Sequence, residues 1–245
     1  MELRDPEEGP ALRSGAVLLA AGASTRMGGD RSKALLELGG RAVLERAAAA
    51  LLAAPSVVEL VVVIREADRD EVRAALAPHA TAVSAMVEGG LERTDSVRHG
   101  VSALSDDLDV ILVHDAARCF VDPEHVEQVA RAAYEHGSAL LATRVSDTLK
   151  YVPNGFLSEE TVDREQYWAA QTPQAMRAAR FHDVLARAAG DGFRPTDDAA
   201  LHEHYHGPSR VVEGSRNNVK MTTPDDLLMG AALAALADGS EEAAR

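Results

Sequence analysis

Residues 16–21, Ala-Val-Leu-Leu-Ala-Ala, are continuously apolar and give way at once to Gly22-Ala23-Ser24-Thr25-Arg26-Met27-Gly28-Gly29, with Lys33 a few positions on. A run without a polar face predicts a strand buried on both sides in a parallel sheet, delivering a backbone-rich loop at its carboxyl end. Further strand segments are read at 57–64, 81–87 and 110–113, separated by segments of helical character at 43–53, 67–76 and 93–104. That alternation predicts an α/β fold: a doubly wound, mostly parallel sheet of Rossmann-like type, covered on both faces, with right-handed crossovers. Ligands bind such sheets beyond the carboxyl ends of the strands.

The second half keeps the alternation with one interruption. Asp122 as cap and Pro123 at the first helical position predict a helix to about residue 136, followed by a strand from Ser138. Pro153-Asn154-Gly155 is a turn signal, so 145–166 reads as an inserted β-hairpin arm returning through Thr161-Val162-Asp163-Arg164. A hairpin has no natural place in a parallel sheet; it either covers the site or pairs with another subunit. Residues 168–174 are polar and apolar by turns, and 178–189 read as a helix. Thr196-Asp197-Asp198 caps another helix toward His206, 211–214 reads as a short strand, and 221–226 is a capped start for the closing helix. Residues 1–13, charged and carrying Pro6 and Pro10, read as a disordered tail, and 14–237 as a single domain.

Composition narrows the partners. A formal net charge of −14 over 245 residues argues against nucleic acid and anionic membrane surfaces, which need clustered cations. The single cysteine, Cys119, excludes an internal disulfide and a cysteine-rich zinc site. The absence of a bilayer-length apolar stretch or a signal-peptide pattern leads to the expectation of a cytoplasmic protein. Of 25 basic residues only Lys33, Lys150 and Lys220 are lysine, which marks those three as candidates for work a guanidinium does less well. His202, His204 and His206 invite a metal reading, but on a helix His204 points away from the other two, and a solvated helix end is the expectation.

The chemistry concentrates at three strand ends. Gly22, Ala23 and Ser24 let main-chain N–H groups approach phosphate oxygens, with Arg26 and Lys33 supplying charge. The spacing is neither a P-loop nor the dinucleotide fingerprint, and an ordinary glycine-rich turn remains the alternative. Gly89-Gly90 and the helix start through Ser96 could read a base edge. His114-Asp115-Ala116-Ala117-Arg118 sets an acid and a base just past an apolar strand, where they either meet a charged ligand or pair with each other to pin the loop.

These segments, in order, resemble the cytidylyltransferase of the non-mevalonate isoprenoid pathway, which makes CDP-methylerythritol from CTP and 2-C-methyl-D-erythritol 4-phosphate. The resemblance rests on Ala-Ala-Gly…Arg-Met with its Lys, Gly-Gly…Arg…Ser-Val, His-Asp-Ala-Ala-Arg, Asp-Thr-x-Lys, Thr-Val-Asp-Arg, Gln-Thr-Pro-Gln, Thr-Asp-Asp-Ala and Asn-Val-Lys-x-Thr. It implies a nucleotidyltransferase fold, a homodimer joined through the arm, and Mg²⁺ held mainly through CTP phosphates, with Asp115 as a candidate protein ligand. It also implies that Ala20, Ala21, Gly22, Gly90 and Ser96 hold cytidine, and that Arg26, Lys33 and Lys220 surround the triphosphate and reacting phosphate. Asp115, Arg118, Thr172 and Thr196 then position methylerythritol phosphate, with Thr148 and Arg164 reaching it from the partner's arm. Three positions depart from the pattern: Ser32 and Cys119 stand where proline is usual, and Leu91 where some members have Asp. The alternatives are a ribitol-5-phosphate cytidylyltransferase, whose motif tends toward His-Asp-x-Val-Arg, and a nucleotide-binding module without catalysis.

Overall fold

The first apolar run forms strand β1 (Ser14–Leu19), buried along nearly its whole length. This is a computed structural model, and it describes residues 11–22 and 32–243. Two-residue strands β2 (Glu37–Leu38) and β3 (Arg41–Ala42) pair with each other, then helix α1 (Val43–Leu52) leads to β4 (Val57–Ile64). Helix α2 (Arg69–Ala75), β5 (Val83–Glu88), α3 (Arg93–Val101) and β6 (Val110–Asp115) complete the first half. The second half runs α4 (Pro123–His136), β7 (Ser138–Arg144), β8 (Lys150–Tyr151), β9 (Glu160–Thr161), β10 (Trp168–Arg177) and α5 (Ala178–Asp191). It closes with α6 (Asp198–Tyr205), β11 (Arg210–Glu213) and α7 (Pro224–Ala243).

The central sheet has seven strands in the order β11-β7-β10-β6-β1-β4-β5. All neighbours are parallel except β10, which runs antiparallel to both β6 and β7. The alternation of strands and helices thus predicts the sheet correctly, and the exception has a connectivity reason. β7 reaches β10 without a crossover helix, so the chain must return antiparallel beside it, with Arg144 opposite Trp168. The arm is the extended tip of that β7–β10 hairpin. Among the described residues its strands β8 and β9 pair only with each other, and Phe156 and Leu157 at its end are exposed.

Alternation along the strands divides the core into two layers. Ala16, Leu18, Leu60, Val62 and Leu112 pack with α1 and α4 on one face, while Val17, Val61, Val63, Ile111 and Val113 pack with α3, α5 and α6 on the other. Each such Val, Leu or Ile side chain contributes about 2 kcal/mol through removal from water. Gly100 lets α3 lie close to the sheet, because a Cβ there would sit 2.3 Å from a methyl of Val17. That approach places the amino end of α3 at the strand ends.

Caps fall where the sequence predicts them. Asp122 accepts from the Glu124 N–H at 2.9 Å, and Asp197 from the Ala200 N–H at 3.1 Å. Burial works against the charge of Asp226, but hydrogen bonds from Thr222 and Thr223 take its carboxyl down to about 2 and fix the start of α7. The histidine expectation is half corrected. His204 does face away, stacked on Phe193 at 4.1 Å, but His202 is buried rather than solvated, beside Arg180 and the Gly207 carbonyl. Of the expected tail, residues 1–10 lie outside the described residues, while the Arg13 N–H donates to Asp109 at 2.9 Å.

Candidate active site

The carboxyl ends of β1, β5 and β6 open onto a cavity of about 500 Å³. Ala20, Ala21, Gly22 and Lys33 line it from the first loop, Gly90 and Ser96 from the second, and Asp115 and Lys220 from the far side. The loops meet through Gly89, where a Cβ would lie 2.5 Å from the Ala21 side chain. The Gly90 N–H donates to the Ser96 hydroxyl at 3.0 Å, which in turn donates to the Glu92 carbonyl at 3.3 Å. The rim that the sequence marks as able to read a base edge is therefore held by its own hydrogen bonds.

Charges cross the cavity floor. Lys220 Nζ donates to Asp115 Oδ2 at 2.6 Å, and Arg93 Nη2 lies 3.6 Å from Asp115 Oδ1. Burial alone would raise the Asp115 carboxyl; Arg93 first and Lys220 second overcome it and hold the group below the usual carboxylate range. The alternative Asp115–Arg118 pair is not made among the described residues. Arg118 instead donates to the Asn218 carbonyl at 2.9 Å and, at 3.4 Å, to that of Ala170. Lys33 Nζ donates to the Thr222 carbonyl at 2.8 Å. Two of the three lysines thus face the cavity, and the third, Lys150, bonds Thr161 on the arm.

Behind the floor His114 is fully buried. Its Nε2 stands 3.0 Å from the Arg118 carbonyl, an acceptor only, so Nε2 carries the proton and Nδ1 accepts from the Thr172 hydroxyl at 3.0 Å. Thr172 Oγ1 accepts in turn from the Asp115 N–H at 3.1 Å. Burial pushes the imidazole down from 6.5 to about 4. A folded chain that resists protonation loses stability as the unfolded chain begins to take up the proton. The contribution is intact above about pH 6.5 and falls away as pH drops toward 4, by on the order of 3 kcal/mol. Urea titrations across that window should show stability rising with pH, with a shallower slope for His114→Asn. Equal slopes would show that His114 takes no part.

The remaining expected site residues are placed elsewhere. Thr172 is buried beneath Asp115, and Thr196 is exposed ahead of α6. Thr148 and Arg164 are exposed on the arm, Arg164 donating to the Ser146 carbonyl. Arg26 lies outside the described residues, as do its neighbours from 23 to 31. Ser32 keeps a φ of −60°, the value a proline imposes, and buried Cys119 fills the core with its thiol pushed up to about 12 by burial. Leu91, fully exposed on the cavity lip, offers only main chain to a ligand.

Arg93, Asp198 and Asn218 join the site although the sequence marks none of them as a site residue, Asp198 only as part of a helix cap. Buried Asn218 donates to Gln171 Oε1 at 3.1 Å and to the Thr172 carbonyl at 2.9 Å, tying the Lys220 loop to β10. Arg93 carried a readable signal: it is the first residue of α3, where the helix dipole disfavours a cation unless an acid meets it.

The family model for 2-C-methyl-D-erythritol 4-phosphate cytidylyltransferase (IspD) matches residues 15–235. The chain belongs to this family. The cytidylyltransferase of Geobacillus kaustophilus is 38% identical over 221 residues, covering 90% of this chain and 96% of the relative. That of Synechococcus sp. WH7803 is 40% identical over 219 residues, covering 89% and 98%. The crystal structure of 4-diphosphocytidyl-2C-methyl-D-erythritol synthase from Anaerococcus prevotii superposes with a TM-score of 0.81 at 27% identity, covering 91% of this chain and 96% of that one.

Proposed function

We propose that this cytidylyltransferase family member transfers the cytidylyl group of CTP to 2-C-methyl-D-erythritol 4-phosphate, giving CDP-methylerythritol and pyrophosphate for isoprenoid precursor synthesis. The observation that carries the reading is the cavity at the strand ends, lined by Ala20, Ala21 and Gly22 together with Lys33 and Lys220. A phosphate oxygen of the polyol forms a bond to the α-phosphorus in line, while the α–β bridging bond breaks and pyrophosphate leaves with its electrons. The attacking phosphate is already largely ionised near neutral pH, so no side chain takes a proton. The work of the protein is to bring two anions together and neutralise them.

Ala20, Ala21 and Gly22 turn main chain toward the nucleotide, and Gly90 and Ser96 face cytosine. Lys33, with Arg26, stabilises charge on the α-phosphate and on departing pyrophosphate. Lys220, held by Asp115, meets the incoming phosphate. Arg118 and Thr196 supply the surrounding polyol contacts, Thr172 supports them from beneath through the Asp115 N–H, and Thr148 and Arg164 come from the arm of the second chain in a homodimer. Among the described residues no three His, Cys, Asp or Glu side chains form a metal cage. Asp115, ionised at the cavity floor, is the carboxylate that would hold a Mg²⁺ brought in with the CTP phosphates, and the ion would supply charge neutralisation there. No described helix is long and apolar enough to cross a membrane. CTP is a membrane-impermeant polyanion, which places the enzyme with the nucleotide pool in the cytoplasm.

Assay of CTP against a panel of polyol phosphates should give clear preference for methylerythritol phosphate, with turnover lost on chelation. Preference for ribitol 5-phosphate, or no pyrophosphate release from any of them, overturns the reading.

A further inference from the structure

The cavity floor is one end of a charge chain that runs out of the site and into the core. Asp198, the first residue of α6, is almost wholly buried and receives both ends of the Arg93 guanidinium, Nη1 to Oδ1 at 3.0 Å and Nη2 to Oδ2 at 2.8 Å. A bidentate pair of this kind fixes the plane of the guanidinium. A buried carboxylate also forbids its partner to leave, because an uncompensated charge would remain. Fixed in this way, Arg93 turns one edge toward Asp115 Oδ1 at 3.6 Å, while Asp115 Oδ2 accepts from Lys220 at 2.6 Å. Acid and base alternate across four elements: α6, α3, the end of β6, and the loop before α7.

α6 is itself anchored. Gln174 of β10 accepts from the Ala199 N–H at 2.7 Å and donates to Asp197 at 3.0 Å, so the Asp198 carboxylate is delivered to Arg93 from a fixed backbone.

We infer that Arg93, locked by Asp198, is a positioning residue: it holds the Asp115 carboxylate in the orientation that presents the Lys220 ammonium to the polyol phosphate. Asp198 contributes by occupying the fork of Arg93, which otherwise closes on Asp115 and competes with Lys220 for it. The inference rests on the proposed transfer reaction and deepens it by separating the two substrates. Nucleotide contacts on the β1 loop and the Gly90 rim do not depend on the chain; polyol phosphate contacts do. Lysine cannot replace Arg93, since one compact ammonium satisfies Asp198 or reaches Asp115 but does not span both.

The test uses Arg93→Lys, Asp198→Asn and the double variant Arg93→Gln/Asp198→Asn. Arg93→Lys should keep its melting temperature within a few degrees and its KM for CTP within about threefold, while kcat falls about tenfold or more. The neutral double variant should melt like the parent and remain slow. Calorimetry gives a readout without turnover. Methylerythritol phosphate should bind the variants, loaded with an α,β-methylene analogue of CTP, about tenfold more weakly than it binds the parent, and the analogue itself should bind all of them alike. Parental kinetics in Arg93→Lys, or recovery of both melting temperature and kcat in the double variant, would reduce Arg93–Asp198 to a structural pair and overturn the inference. If the parent shows no turnover yet the binding differences stand, the reaction assignment fails and the positioning role survives.

Discussion

Lys33→Ala should lower kcat by about a hundredfold or more, with a much smaller change in KM for CTP. Its ammonium lines the cavity at the end of the β1 loop and donates to the Thr222 carbonyl at 2.8 Å, so the structure already aims it. A hundredfold corresponds to about 2.7 kcal/mol, the size seen when one preorganised donor to developing charge is lost. Lys33→Arg should rescue poorly, because the planar fork is larger and its charge is spread. A loss confined to KM would show that Lys33 holds ground state and transition state equally, and a large fall in melting temperature would show that the Thr222 contact is mainly structural.

Mixing two dead chains should restore activity. Lys33→Ala and Arg164→Ala are each expected to be nearly inactive alone. If each site combines Lys33 of one chain with Arg164 of the other, a mixed dimer has one site with both residues intact and one with neither. Random reassortment makes half the dimers mixed, so roughly a quarter of parental activity should return. The arm motivates this: among the described residues β8 and β9 pair only with each other, two strands alone are marginal in water, and Phe156 and Leu157 are exposed at the tip. Exchange of identical arms across a two-fold axis would cover that surface. With subunit exchange verified, a mixture that stays inactive means that each site is built from one chain and the arm is a lid.

The pattern of apolar runs was sufficient for the layered sheet, because a strand covered on both faces has to be apolar over its covered length, and 57–64, polar only at Glu59 near its half-exposed start, coincides with β4 (Val57–Ile64). The caps at Asp122, Asp197 and Thr223-Pro224-Asp225-Asp226 were legible because they act within a few residues of chain. The antiparallel direction of β10 was harder to see. It depends on the arm being the tip of a β7–β10 hairpin, a pairing across more than twenty residues that no local periodicity encodes.

The site divides in the same way. Order and residue type along the chain were enough to single out Ala20, Ala21, Gly22, Gly90, Lys33 and Lys220, all of which line the cavity, since each depends on local backbone freedom or on a choice of cation. Partnership was decided only by the tertiary structure. Asp115 and Arg118 are three residues apart and looked like a pair, yet Asp115 takes Lys220, 105 residues away, and Arg118 takes the Asn218 carbonyl. Arg93 meets Asp198 across the same separation of 105 residues. Such pairs form where burial makes an unmatched charge intolerable, and which charges are buried together follows from how α3, α6 and the Lys220 loop pack on the sheet, which the order of residues along the chain does not state.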